Sequence, residues 1–219
     1  MQFFLDSANL QHIQKILSMG CLDGVTTNPS LFAKEGITAV NYNQHVAEIL
    51  KITGNQIPVS FEVISTTFAE MIAEGEKIAS FGENVCVKLP ITLDGIMACK
   101  EFSKNGIKTN MTLCFSPMQA LLVAKAGATY VSPFIGRLDD AGQNGLQLIA
   151  EIRTIFNNYP ELSTQILSAS VRNIIHLNEI AKIGSDVATI PYSMFEQMVY
   201  HPLTEIGLKK FLADFNKNK

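Results

Sequence analysis

Short apolar runs alternate with longer amphipathic segments eight times along this chain, and few folds accept that pattern. The runs lie at 3–6, 24–28, 58–63, 85–89, 108–113, 129–134, 166–170 and 187–190. Apolar residues at helical spacing predict helices over 8–19, about 31–50, 67–80, 94–103, 117–126, 141–157 and 173–182. A short helix near Met194 and a closing amphipathic helix at about 203–217 complete the order. Gly20, Gly82, Gly106, Gly127 and Gly184 each fall between a helical segment and the next strand, where glycine accepts the left-handed turn that ends a helix. Strands alternating with helices imply a parallel sheet, and eight repeats favour closure into a (β/α)8 TIM barrel. No Gly-x-Gly-x-x-Gly follows the first run, which speaks against an open dinucleotide-binding sheet. With no linker or low-complexity tract in view, residues 1–219 read as one α/β barrel domain with a C-terminal helix.

Composition agrees. Apolar residues make up 47% and charged residues 17%, as expected for a sheet covered on both faces. A net charge of −3 gives no basic surface for nucleic acid and no electrostatic membrane anchor. Cys21, Cys86, Cys99 and Cys114 form no Cys-x-x-Cys pair and read as reduced thiols. The first six residues have no basic leader pattern, and no apolar run is long enough to span a bilayer. The expectation is a soluble, cytoplasmic protein.

One run carries a lysine inside it: Val85-Cys86-Val87-Lys88-Leu89-Pro90. Alternation puts Val85, Val87 and Leu89 on one face and Cys86 and Lys88 on the other. A free lysine has a pKa of about 10.4. Burial in an apolar wall lowers the pKa of such a group and frees it to attack a carbonyl. The plainer reading is a lysine that snorkels from the strand end to water. The other runs favour the first reading, because parallel barrels collect their chemistry at the C-terminal ends of strands. There the chain places Asp6, Thr26, Asn28, Glu62, Asn110, Thr112, Ser132, Phe134, Ser168 and Ser170. The same alternation assigns Leu5, Val25, Phe61, Val63, Val87, Met111, Leu113, Val131 and Leu167 to the opposite face.

Arginine usage adds a second function. The only arginines are Arg137, Arg153 and Arg172, and Arg137 and Arg172 follow the sixth and seventh runs. Late barrel loops often hold phosphate, and the guanidinium fork suits phosphate oxygens. Arg153 lies in a helical segment and receives no role. None of His12, His45, His176 and His201 joins a strand-end acid at ligand spacing, which argues against a zinc or di-iron centre. Without a Gly-x-Ser-x-Gly elbow a serine hydrolase is also disfavoured. Lys88, with Asp6, Glu62 and Thr112, forms a Schiff-base constellation: an amine, two proton carriers and a hydroxyl that can place water.

GVTTNPS at 24–30, VKLP at 87–90, NMTLCFS at 110–116, SPFIGR at 132–137 and SASVRN at 168–173 together resemble the transaldolase family. The likeness is to its compact branch, which holds small transaldolases and fructose-6-phosphate aldolases. The resemblance implies that Lys88 is the Schiff-base lysine and that Asp6 is the acid–base group for the C4 hydroxyl. Glu62 and Thr112 would hold the water used in carbinolamine formation and breakdown. Asn28 and Ser132 would bind dihydroxyacetone hydroxyls, with Thr26 and Asn110 beside them, and Arg137, Ser170 and Arg172 would hold the terminal phosphate. It further implies sugar-phosphate substrates, no metal or organic cofactor, and a homo-oligomer, a pentamer or a decamer of two rings. Aldolases of the group carry glutamine in place of Glu62 and tyrosine in place of Phe134. Phe134 has no proton to give an enamine, which favours transfer of a dihydroxyacetone unit between sugar phosphates of the pentose phosphate pathway. The alternatives are an aldolase that releases dihydroxyacetone and an inactive sugar-phosphate-binding protein.

Overall fold

The computed structural model describes residues 1–217. Its strands close a parallel barrel in sequence order, the first hydrogen-bonded to the eighth. The first half runs β1 (Gln2–Asp6), α1 (Leu10–Ser18), β2 (Gly24–Thr26), α2 (Pro29–Lys34), α3 (Tyr42–Thr53), β3 (Val59–Glu62), α4 (Phe68–Ala79) and β4 (Val85–Pro90). After it come α5 (Leu93–Lys104), β5 (Thr109–Cys114), α6 (Pro117–Ala126), β6 (Tyr130–Pro133), α7 (Ile135–Asp140) and α8 (Gly145–Asn157). The chain continues through β7 (Gln165–Ser168), α9 (Ile174–Ile183), β8 (Val187–Ile190), α10 (Tyr192–Val199) and α11 (Pro202–Lys217). The expected (β/α)8 barrel with a C-terminal helix is what the chain forms.

Two apolar layers hold it. Outward-facing Leu5, Val25, Phe61, Val87, Met111, Val131, Ile166 and Ile190 pack against the helices in one continuous core. The second layer is inside. Phe4, Cys86, Tyr130, Leu167 and Val187 form a separate buried cluster, and each stands two residues before a side chain of the barrel mouth, four of these polar. They plug the lumen below that mouth, with Phe4 and Tyr130 in edge-to-face contact at 5.7 Å. Burial in this plug pushes the Cys86 thiol up to about 12, so it is an inert filler rather than a nucleophile.

Some expectations are corrected. The segment 31–50 is not one helix: α2 ends at Lys34, Gly36 turns with φ +69°, and α3 begins only at Tyr42. The six residues of α7 escape a periodicity test because they are too few to show one. Gly20, Gly106, Gly127 and Gly184 take positive φ as expected, whereas Gly82 does not. On β7 the alternation runs opposite to expectation: Leu167 joins the lumen plug, while Ser168 faces outward and its Oγ meets Ser185 Oγ at 2.8 Å. Leu113, expected outside, has φ +62° beside a register shift in β5 and lines the barrel mouth. The closing helix α11 does not dock on its own barrel; none of its residues is buried.

Gly24 is a glycine for a packing reason. A Cβ there would lie 2.4 Å from the Phe4 ring, which is fully buried and cannot move aside. Gly24→Ala is expected to destabilise the barrel by about 1–3 kcal/mol through overpacking, and Phe4→Leu in the same chain should recover part of the loss. Urea unfolding of the single and double variants measures both.

Candidate active site

The C-terminal ends of the strands surround a cavity of about 590 Å³. Of the residues singled out above for the site, all but Ser168 line it: Asp6, Thr26, Asn28, Glu62, Lys88 and Asn110 on one arc, Thr112, Ser132, Phe134, Arg137, Ser170 and Arg172 on the other. Register explains the first arc. Glu62 on β3 is paired with Lys88 on β4, and Lys88 with Asn110 on β5, so three polar side chains enter the lumen at one level.

Lys88 is buried. Its Nζ lies 3.0 Å from Glu62 Oε2 and donates to the Thr27 carbonyl at 3.0 Å. The wall around this amine is therefore a carboxylate and a carbonyl, not the apolar lining expected. Its proton has an acceptor in direct contact.

Asp6 sits at the end of β1 and accepts a hydrogen bond from the Thr26 hydroxyl at 2.8 Å. Thr26 Oγ1 also lies 2.5 Å from Thr189 Oγ1. Since the single Thr26 proton goes to the carboxylate, Thr189 donates to Thr26, and a hydroxyl chain ends on Asp6. Desolvation pushes the Asp6 carboxyl above the usual carboxylate range, while the Lys88 ammonium, the Thr26 hydroxyl and the Lys34 ammonium pull it back. Burial wins that contest.

Other polar groups are already committed on one side. Asn28 caps α2 through its side-chain oxygen, which accepts from Leu31 N at 3.0 Å, so only its amide N–H groups are left for a ligand. Ser132 donates to Asn110 Oδ1 at 2.6 Å, and Asn110 donates to Ser60 Oγ at 3.2 Å. The Ser132 oxygen is thereby presented as an acceptor. Thr112 Oγ1 is buried without a protein partner and is the natural seat for a ligand or water oxygen.

The phosphate-like end forms where β6 and β7 continue past their last ladder pairs. Phe134 bridges to Ala169, Ile135 N donates to the Ala169 carbonyl, and Gly136 N donates to the Ser170 carbonyl at 2.9 Å. These bonds hold the start of α7 against the Ser170–Arg172 segment. A Cβ at Gly136 would lie 2.5 Å from both Arg172 Nε and Ser170 O, so the close approach needs glycine. Arg137 stacks its guanidinium 4.8 Å from the Phe134 ring centroid. Arg172 pairs with Asp140 at 2.7 Å, an exposed contact that orients the side chain more than it stabilises the fold. Arg153, given no role, pairs with Asp186 ahead of β8, at the opposite end of the strands.

Three polar lining residues, Ser30, Lys34 and Thr189, escaped the sequence reading. Thr189 is the only polar residue of β8, and alternation from Val187 would have found it. Lys34 gives no such signal, because it reaches the cavity from the last turn of α2. Glu62 also walls a second cavity of about 360 Å³, bounded chiefly by apolar side chains such as Phe32, Ile37 and Tyr42. Among the described residues no three His, Cys, Asp or Glu side chains gather where they could hold a metal ion. No helix among them is long and apolar enough to cross a membrane.

Asp6 carries a stability consequence. Its folded pKa lies above the ordinary carboxylate value, so the unfolded chain ionises first and stability is lost as pH rises from that value through the folded one. Asp6→Asn removes the desolvated charge. It should raise the melting temperature near pH 7 and leave it little changed at about pH 3, which thermal melts at the two pH values will read.

Comparison with known proteins agrees with this geometry. The family described as Transaldolase/Fructose-6-phosphate aldolase matches residues 3–219. The chain is 53% identical over 219 residues to a probable transaldolase of Nitrosopumilus maritimus, covering 100% of this chain and 96% of that one. It is 52% identical over 217 residues to probable transaldolases of Brucella anthropi and of an Anaeromyxobacter species, covering 99% of this chain and 97% of each relative. A family match across the barrel and relatives of nearly the same length place the whole chain in one lineage: it belongs to the transaldolase/fructose-6-phosphate aldolase family.

Proposed function

We propose that the chain works as one barrel domain and is a class I transaldolase, moving a dihydroxyacetone unit between sugar phosphates of the pentose phosphate pathway in the cytoplasm. The donor is a ketose phosphate, sedoheptulose 7-phosphate or fructose 6-phosphate. The acceptor is an aldose phosphate, glyceraldehyde 3-phosphate or erythrose 4-phosphate. The observation that carries the reading is the buried Lys88–Glu62 contact of 3.0 Å at the floor of a mouth rimmed by Arg137 and Arg172.

The proposed steps use these contacts. Glu62 takes the Lys88 ammonium proton, and the neutral amine attacks C2 of the ketose. Loss of water from the carbinolamine, passed between Glu62 and the unpartnered Thr112 hydroxyl, gives an iminium. Asp6 takes the C4 hydroxyl proton as the C3–C4 bond breaks. The bonding pair flows into the iminium, and the aldose phosphate leaves. The Asn28 amide and the Ser132 oxygen hold the hydroxyls of the retained three-carbon unit, while Arg137, Ser170 and Arg172 hold the phosphate. The enamine then adds to the acceptor, and water releases the new ketose.

Phe134 supports transfer over release. Its ring offers no proton to the enamine, and its face is covered by Arg137, so the three-carbon unit waits for an aldehyde. Transfer should appear as glyceraldehyde 3-phosphate formed from fructose 6-phosphate only when erythrose 4-phosphate is present. Steady formation without acceptor would identify an aldolase instead. Borohydride should trap the donor on the wild-type enzyme and not on Lys88→Met; labelling that persists in the variant sinks the imine assignment. Phe134→Tyr should release measurable dihydroxyacetone without acceptor.

The assembly is proposed to be a homo-oligomer, a pentamer or a decamer of two rings, built partly on α11. On that helix Leu203, Ile206, Leu208, Phe211, Leu212 and Phe215 are all more than half exposed. That is more apolar surface than a lone helix keeps in water. Removing residues 201–219 should reduce the particle mass to fewer subunits in sedimentation; an unchanged mass would place the contact elsewhere.

A further inference from the structure

We propose that Lys34 is a positioning residue for Asp6: its ammonium keeps the Asp6 carboxylate ready to accept a proton during the stages when Lys88 carries no charge. The inference rests on the transaldolase reading above and assigns a role to a residue outside its constellation.

The geometry begins with α2. Asn28 caps this six-residue helix and Pro29 opens it at the cavity wall, and its last residue, Lys34, also lines the cavity. Lys34 lines the same cavity as Asp6, and no carboxylate lies within ion-pair distance of it among the described residues. The groups that face Asp6 are few. Thr26 from β2 donates to it, backed by Thr189 from β8. Lys88 from β4 and Lys34 from α2 act on it by charge, and Glu62 from β3 lines the same space.

Of the two cations, Lys88 is not available throughout. It must be neutral to attack C2, and the carbinolamine nitrogen that follows is neutral as well. Desolvation is the largest influence on Asp6 and disfavours its ionised form. Once Lys88 is neutral, Lys34 is the remaining facing cation. At C3–C4 cleavage the C4 hydroxyl proton passes to Asp6 and the bonding electrons neutralise the iminium, so both charges of the Asp6–iminium pair vanish together. The Lys34 charge persists. As the enamine adds to the acceptor, Asp6 returns its proton to the acceptor's carbonyl oxygen, and the Lys34 charge favours the carboxylate so regenerated until the next donor arrives.

Lys34 could also touch the substrate phosphate, and kinetics separate the two roles. Lys34→Met, Lys34→Arg and wild type are compared for transfer from fructose 6-phosphate to erythrose 4-phosphate across a pH series that traces the whole acid limb of kcat. The acid limb of kcat should move to higher pH in Lys34→Met and return in Lys34→Arg, because losing a cation makes Asp6 harder to ionise. The KM for fructose 6-phosphate should stay within about twofold of wild type, since the substrate contacts remain. Borohydride trapping at neutral pH should be retained, because imine formation precedes the Asp6 step. An unmoved acid limb overturns the proposal, and so does a raised KM with unchanged kcat, which would make Lys34 a phosphate contact. If wild type itself shows no acceptor-dependent transfer and no trapping, it is the transaldolase reading that has failed.

Discussion

The contact between Lys88 and Glu62 is what the upper half of the barrel has to accommodate. Two opposite charges lie out of bulk water, and burying such a pair costs several kcal/mol per ion before their attraction returns any of it. Removing either partner leaves an uncompensated charge, at a cost of about 3–5 kcal/mol. The fold meets this with register and with a floor. Register aligns Glu62, Lys88 and Asn110 at one level. The floor of Phe4, Cys86, Tyr130, Leu167 and Val187 closes the lumen beneath them. The pair is reached from the mouth, and Glu62 also borders the second, mostly apolar cavity.

Above the floor, hydrogen bonds set what each polar group has left to offer. The Thr189–Thr26–Asp6 chain points its protons at the carboxylate, and that donation favours its ionised form. The Ser132–Asn110–Ser60 chain turns the Ser132 oxygen into an acceptor and immobilises Asn110. Asn110 is fully buried and acts through Ser132 more than by its own reach. Thr112 is the exception, a buried hydroxyl with no protein partner. In a network otherwise satisfied, that hydroxyl is suited to a ligand or water oxygen.

Most of this was legible because period-two alternation survives in four of the strands that carry the site. On β1, β3, β4 and β6, one side chain in two enters the lumen and the polar ones come last. Alternation failed at two places, and both have one cause. Leu113 and Ser170 are the only non-glycine residues with left-handed φ among the described residues, +62° and +57°. Such a backbone turn breaks the parity of a strand. Counting back from Ser170 therefore gave the wrong face for Leu167 and Ser168, and counting on from Met111 gave the wrong face for Leu113. Both residues line the cavity, in keeping with the tendency of strained backbone to cluster where a ligand must be met. Lys34 was invisible for a different reason: nothing along a short helix marks which side of it overlooks a barrel.

Charge distribution joins these local features. The chain is net negative at −3, yet its cavity gathers Lys34, Lys88, Arg137 and Arg172 against Asp6 and Glu62. Phosphate monoesters are dianionic near neutral pH, and a concave, mostly low-dielectric site focuses such a field on them. The cations are not interchangeable within it. Arg172 is steered by Asp140 and Arg137 by the Phe134 ring, so both guanidinium forks are oriented before a phosphate arrives. Lys88 is held by Glu62, and Lys34 faces Asp6. Under the proposed mechanism this separates the anchoring charges on α7 and beyond β7 from the two amines that must respond to proton transfer. A phosphate fixed at one edge of the barrel sets how far along the sugar C2 and C4 lie. Under the same proposal, Phe134, the residue that bears on transfer versus release, also carries the Arg137 guanidinium against its ring.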